Sequence, residues 1–251
     1  MKKFLSLLLS TIMMVSMCTV SSVSAYDTNM SDSQAQIQQQ NSGDSVYGDF
    51  QYTVSDGKVT IKKYTGSATT LSIPSTIEGK PVTNIGYRAF YDCSSLKSVT
   101  IGNSVTSIGT EAFACCRSLT SVEIPNSVTS IGYEAFYNCS SLINMTIPNS
   151  VTSIGIAAFE NCSSLTSVTI PNSVTSIGSY AFHKCSSLTN INVNSNNANY
   201  SSTNGVLFDK NKTKLICYPE GKTNTSYTIP NSVTYSPNNP APIKIEETVL
   251  K

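Results

Sequence analysis

Between residues 86 and 188 the chain repeats itself every 23 residues without a gap. Cys93, Cys116, Cys139, Cys162 and Cys185 fall in one column, and Phe90, Phe113, Phe136, Phe159 and Phe182 in a second. Leu96, Leu119, Leu142, Leu165 and Leu188 make a third; Gly86, Gly109, Gly132, Gly155 and Gly178 make a fourth, each directly after an isoleucine. A unit this short cannot enclose its own apolar face. It has to stack on copies of itself, and the chain is therefore expected to be a solenoid.

One unit, "LTSVTIPNSVTSIGSYAFHKCSS" at residues 165–187, shows how each coil should run. Val168 and Ile170 alternate with Ser167 and Thr169, the period of a strand with one buried face. Pro171 lacks a donor for the ladder and ends that strand. Val174 and Ile177 return to the core, and Gly178 is expected to supply unrestricted backbone where the coil turns. Ala181, Phe182 and Cys185 predict a short helical or 3₁₀ stretch on the opposite wall. At about 4.8 Å between stacked strands, five units make a wall roughly 20–25 Å long.

These residues resemble the BspA-like class of bacterial leucine-rich repeats, closely over residues 71–188. The resemblance rests on the Leu-x-x-Val-x-Ile-Pro strand, the Ile-Gly pair, Ala-Phe-x-x-Cys and the spacing. It implies a repeat solenoid of the α/β leucine-rich-repeat type, mostly short β-strands with short helical or 3₁₀ turns. Residues 70–90 resemble the family's first repeat, with two extra residues before Val82. Residues 204–219, "NGVLFDKNKTKLICYP", resemble its hairpin insertion, with strands at residues 206–208 and 215–218. A further unit opens at Tyr227, but Tyr235-Ser236-Pro237 stands where Ser-Ile-Gly should be and no Ala-Phe-x-x-Cys follows. That half-repeat is either a C-terminal cap or an open end.

The flanks follow. Lys2 and Lys3, an apolar stretch from Phe4 to Val20 and the small residues Val23-Ser24-Ala25 predict a secretory signal peptide over residues 1–25. Residues 26–47 are rich in Gln, Ser, Asn and Asp and are expected to be a disordered linker. Residues 48–70 hold two alternating runs around Asp56-Gly57, which predicts an N-terminal hairpin cap. The repeats then occupy residues 71–193, the last repeat with its insertion and partial repeat 194–236, and a tail 237–251. No membrane span is expected once the leader is removed.

Charged residues are 12% of the chain, against about a quarter in ordinary globular proteins. Loss of Lys2 and Lys3 takes the formal charge from +1 to −1. Nothing in this balance attracts nucleic acid. The repeated cysteines are expected to pack reduced, although export leaves a disulfide framework as the alternative. A line of thiols does not make the tetrahedron zinc wants, and no metal or cofactor is expected. Cys115 is the exception: its column otherwise holds Asp92, Asn138, Asn161 and Lys184, which predicts an exposed thiol and a possible homodimer through it. Cys217 is left ambiguous.

No enzyme is expected. His183, the single histidine, sits in a variable column, and no nucleophile has a base beside it. Glu111 and Glu134 share a column with Arg88, which suits a charged strip better than a catalytic carboxylate pair. The surface remains as the place for function. Outward strand positions Ser98, Thr100, Ser121, Glu123, Asn144, Thr146, Ser167 and Thr169 are the expected ligand-binding face. Tyr87, Tyr91, Tyr133 and Tyr137 form an expected aromatic patch on the other wall. The family resemblance implies a secreted or cell-surface protein that binds a protein or glycan ligand in adhesion; the alternative is a structural spacer without a dedicated ligand.

Overall fold

In the computed structural model, residues 44–223 and 227–235 are described; the expected leader, most of the expected linker and the tail lie outside them. Each repeat contributes one strand to each of two parallel sheets. The first sheet contains β4 (Thr70–Ser72), β7 (Ser98–Thr100), β9 (Ser121–Glu123), β11 (Asn144–Met145), β13 (Ser167–Ile170) and β15 (Asn190–Val193), stacked in chain order. The second begins with β1 (Ser45–Tyr47), β2 (Phe50–Ser55) and β3 (Lys58–Tyr64). It continues through β6 (Lys80–Ile85), β8 (Ser107–Ile108), β10 (Ser130–Ile131), β12 (Ser153–Ile154) and β14 (Ser176–Ile177), with β5 (Thr76–Ile77) folded antiparallel onto β6. Register follows the repeat: Ile108 pairs with Ile131, Ile131 with Ile154 and Ile154 with Ile177.

The N-terminal hairpin turns at Asp56 and Gly57, with φ of 50° and 70°, the two positive values that an Asp-Gly hairpin turn requires. Its strand β3 joins β6 in parallel, so the hairpin continues the second sheet over the end of the core. Residues 45–47, expected as linker, form β1 against β2 and extend that sheet by one strand.

The third wall departs from expectation. No helix occurs among the described residues. Ala112, Ala114 and Cys116 donate N–H bonds three residues back, to Gly109, Glu111 and Phe113, at 3.1–3.3 Å. The intervening Glu111, Phe113 and Cys115 donate instead to Tyr133, Ala135 and Tyr137 of the next coil, each at 2.8 Å. Alternate amides thus point along the stack. This needs left-handed backbone at two points per coil: Glu111 (φ 53°) and Cys115 (φ 63°) here, and Arg88, Asp92, Glu134, Asn138, Ala157, Asn161, Tyr180 and Lys184 in the others. A right-handed helix would point every N–H along its own axis and leave the neighbouring coil's carbonyls unpaired.

The glycine column has a different cause from the one expected. Its members do not have positive φ. Instead, a Cβ added at Gly132 would lie 2.7 Å from the carbonyl carbon of Gly109, and one at Gly155 would lie 2.4 Å from that of Gly132. Successive backbones touch at this column, and only hydrogen fits between them.

The interior is filled by identical side chains in register. Phe90, Phe113, Phe136, Phe159 and Phe182 stack with centroids 4.8–5.6 Å apart and planes within 9° of parallel. Beside them Cys116, Cys139, Cys162 and Cys185 place Sγ 2.9–3.2 Å from the carbonyl oxygen of the phenylalanine one coil back, so each thiol donates a weak hydrogen bond to backbone. All seven described cysteines are free thiols. Burial pushes the Cys139 and Cys162 thiols well above the ordinary range and that of Cys217 up to about 12. Cys93, at the head of the column, is only half-buried, and its interaction with the Cys116 side chain lowers its pKa. Cys115 corrects the expectation of an exposed thiol. It is 2% exposed, covered by side chains of the neighbouring coils, with Asn138 Nδ2 at 3.8 Å and Tyr91 Oη at 4.0 Å from Sγ. A dimer joined through that thiol has no geometric basis.

The C-terminal end is closed by the insertion rather than by the half-repeat. Asn197, fully buried, donates to Pro171 O (2.7 Å) and Val174 O (3.0 Å). Tyr200 Oη accepts from the edge amide of Ile177 at 2.8 Å, and Glu220 Oε1 accepts from Lys184 N–H at 2.7 Å. The insertion itself is a three-stranded sheet, β16 (Tyr200–Thr203), β17 (Val206–Asp209) and β18 (Leu215–Cys217). The half-repeat packs on it: Tyr227, Ile229 and Val233 meet Val206, Phe208, Leu215 and Tyr218 in a second small core.

Gly132→Ala should lower stability by roughly 1–3 kcal/mol, because the stack must open to admit one methyl. Ala157→Gly, at φ 54°, should raise it by up to about 1 kcal/mol through relief of left-handed strain; thermal and denaturant melts of both variants check the pair. Native protein treated with iodoacetamide at mildly alkaline pH should be labelled first at Cys93 among the described cysteines. The buried column should react only after denaturation, as peptide mass spectrometry would show.

Candidate binding surfaces

The first sheet turns its apolar residues inward and its polar residues outward. Val99, Val122, Met145, Val168 and Ile191 are buried, while Thr100, Ser121, Glu123, Asn144, Ser167 and Thr169 are exposed and Ser98 is half-exposed. Register sets the outward residues in two rows. One runs Thr70, Ser98, Ser121, Asn144, Ser167, Asn190; the other includes Ser72, Thr100 and Glu123, then Thr169 and Asn192. Thr146 is exposed but lies just past the shortened strand β11, between Glu123 and Thr169 in the repeat. At about 4.8 Å per strand the rows extend for roughly 24 Å.

Neighbours in the rows touch. Ser121 Oγ donates to Ser98 Oγ at 3.2 Å, and Thr100 Oγ1 donates to Glu123 Oε2 at 3.2 Å. Hydroxyls of the flanking column instead satisfy backbone: Thr120 Oγ1 reaches Lys97 O at 2.9 Å and Thr189 Oγ1 reaches Thr166 O at 3.3 Å. The hydroxyl-rich composition therefore has two uses. The flanking threonines hold coils together, and the outward rows present donors and acceptors to solvent on a backbone that cannot readily move.

On the turn wall the expected tyrosines do not form one patch. Tyr87 and Tyr133 lie two coils apart with Thr110 between them, and Tyr91 and Tyr137 have Ala114 between them. Arg88 instead draws Tyr87 and Tyr91 together. Its guanidinium carbon sits 5.0 Å from the Tyr87 ring centre and 4.7 Å from that of Tyr91, while Nη2 is 2.7 Å from Glu111 Oε2. Glu111 is thus tied to Arg88, which the shared column anticipated. Tyr133 bonds Glu134; burial raises the pKa of that carboxyl and the tyrosine's bond opposes the shift. Burial, followed by the hydrogen bond to Glu134, raises that of Tyr133.

His183 stands at the end of the wall, with Nδ1 3.3 Å from Glu220 Oε1 and its ring 5.4 Å from Tyr180. Glu220 was not anticipated as a partner, because it comes from beyond the insertion, outside the repeat register. Among the described residues no group of three or more His, Cys, Asp or Glu is placed to hold a metal ion, and no helix is long and apolar enough to cross a membrane.

Solved structures share this architecture. A leucine-rich repeat protein of T. pallidum is 29% identical, with a TM-score of 0.57 over 77% of this chain and 81% of that one. A leucine-rich repeat protein of Eubacterium ventriosum is 33% identical, with a TM-score of 0.62; the match covers 76% of this chain and 54% of that one, so this chain spans about half the length of that relative. A leucine-rich cell-surface protein of Faecalibacterium prausnitzii is 31% identical, with a TM-score of 0.50, over 77% and 66% of the two chains. No curated protein sequence matches the chain. The profile described as a BspA type leucine rich repeat region matches in six copies over residues 83–213. With that match spanning just over half of its length, and with the repeat geometry above, the chain belongs to the BspA-type leucine-rich repeat family.

Proposed function

We propose that this protein is exported and acts outside the cell as an adhesive binding protein, without catalysis of its own. Its first sheet would be the contact surface for a protein or glycan of the host or the surrounding community. One observation carries the reading: two rows of outward hydrogen-bonding side chains run from Thr70 and Ser72 to Asn190 and Asn192, the first across all six strands of the sheet and the second passing β11 at Thr146, just beyond its end. The rows carry little charge apart from Glu123. A neutral, hydroxyl- and amide-rich surface suits hydrogen-bonded recognition of polar macromolecules and does not attract nucleic acid.

Two further observations support the setting. Residues 1–25 have the pattern of a secretory leader, and one structural relative is described as a cell-surface protein. The buried free cysteines are compatible with export, since weak hydrogen bonds to backbone and tight packing keep the thiols away from oxidants.

The purified chain should bind at least one preparation among matrix proteins, cell surfaces and glycan arrays. Changing Thr100, Thr146 and Thr169 together to lysine should weaken that binding by roughly 30-fold, the scale of losing a hot spot at an interface centre. Lysine at these exposed positions leaves the core untouched, and an unchanged melting curve would verify that. Retained binding would move the contact off this sheet, and absence of binding to every preparation would favour a spacer.

A further inference from the structure

At four successive joins the wall phenylalanine donates its N–H to an alanine carbonyl of the next coil: Phe90 to Ala112 (2.7 Å), Phe113 to Ala135 (2.8 Å), Phe136 to Ala158 (2.8 Å) and Phe159 to Ala181 (2.9 Å). After Phe182 the pattern stops. The chain leaves as the insertion, no Ala-Phe turn follows, and among the described residues no carbonyl accepts from Phe182 N–H. By the register of the preceding coils this amide faces the insertion, and an open pocket of about 300 Å³ lies there. Its lining includes Tyr180, Phe182, Tyr200, Asp209, Tyr218 and Glu220.

One more polar atom at this seam is buried without a hydrogen bond, Tyr218 Oη. Tyr218 is 3% exposed. Unpaired buried polar atoms are uncommon, because each costs the full loss of its hydration. The Tyr218 hydroxyl and the Phe182 amide at one pocket mark a place built for a polar ligand.

The geometry limits what that ligand can be. An added strand or extended peptide would continue the wall by accepting from successive alternate amides. Glu220 already accepts from Lys184 N–H, so the ladder is blocked one step past Phe182. A single carbonyl fits, not a chain of them. Asp209 is oriented by Thr213 Oγ1 and by Lys214 N–H, both at 2.6 Å. It and Glu220 each keep lone pairs for hydroxyl donors. Tyr180 and Tyr200 in the lining offer apolar contact. The volume is at the low end for small-ligand pockets.

We propose that this pocket binds one N-acetylated hexosamine residue, whose acetamido carbonyl accepts from Phe182 N–H while its hydroxyls donate to Asp209 and Glu220. This site is separate from the sheet surface and is tested apart from it. The full chain, expressed for export with ¹⁵N, is titrated with N-acetylglucosamine and followed by amide resonances. The Phe182 resonance should shift, with a dissociation constant on the order of 1 mM for a ligand this small. Glucose, which lacks the acetamido group, should bind roughly tenfold more weakly or less.

Ser179→Trp, which fills the exposed mouth, should abolish the shift while leaving the other amide resonances in place. Should that variant fail to fold, the comparison of the two sugars decides the question without it. Three results would overturn the proposal: no movement of Phe182 at saturating sugar, equal binding of glucose, or stronger binding of N-acetylalanine methylamide, which would assign the pocket to peptide.

Discussion

The distance between neighbouring backbones at the glycine column governs the rest of the structure. Gly86, Gly109, Gly132, Gly155 and Gly178 let each coil lie directly on the one before, with a clearance that no Cβ could share. Only at that separation can the turn wall exchange N–H bonds between coils at 2.7–3.1 Å. The same separation puts the phenylalanine rings face to face and brings each thiol to the preceding coil's carbonyl. A methyl at one glycine would therefore loosen three kinds of contact at once, which is how a one-dimensional stack converts a local change into a loss of coupling between neighbours.

Left-handed backbone in ten non-glycine residues is the cost of that arrangement. Arg88, Glu111, Glu134, Ala157 and Tyr180 occupy one such column, and Asp92, Cys115, Asn138, Asn161 and Lys184 the other. Each is strained by about 1–2 kcal/mol relative to right-handed backbone, and the inter-coil hydrogen bonds and buried apolar area offset it. Asp and Asn tolerate this conformation best, which accounts for three members of the second column. It also sets the surface chemistry. Because the first column projects outward from a fixed backbone, Arg88 meets both Glu111 and the flanking tyrosines without any loop to hold it.

Strand faces were legible in the residues, because alternation of Val and Ile with Ser and Thr has one solution once a core lies on one side. The outward rows fall where alternation put them, and the Asp56-Gly57 hairpin turns where the two residues required. The wall was not legible. Ala-Phe-x-x-Cys has the spacing of a short helix, and nothing in the letters Glu111 or Ala157 signals positive φ. Cys115 misled for a related reason: its column is polar elsewhere, but the cover it receives from Tyr91 and Asn138 of the neighbouring coils is a property of the stack. The pairing of Glu220 with Lys184 and His183 joins residues more than 30 positions apart, outside the 23-residue register.

By itself the sequence determined the solenoid, its period, the identity of the buried columns and the outward rows, since each follows from a repeat that must bury one face against its copy. The tertiary structure decided why the glycines are glycine, how the turn wall satisfies its amides, and that Cys115 is buried. It also decided how the stack ends. Where the register breaks after Phe182, Asn197, Tyr200 and Glu220 replace parts of the missing coil, and one amide is left facing a pocket. A repeat predicts what meets its next copy; at the last copy, only the fold determines what takes that place.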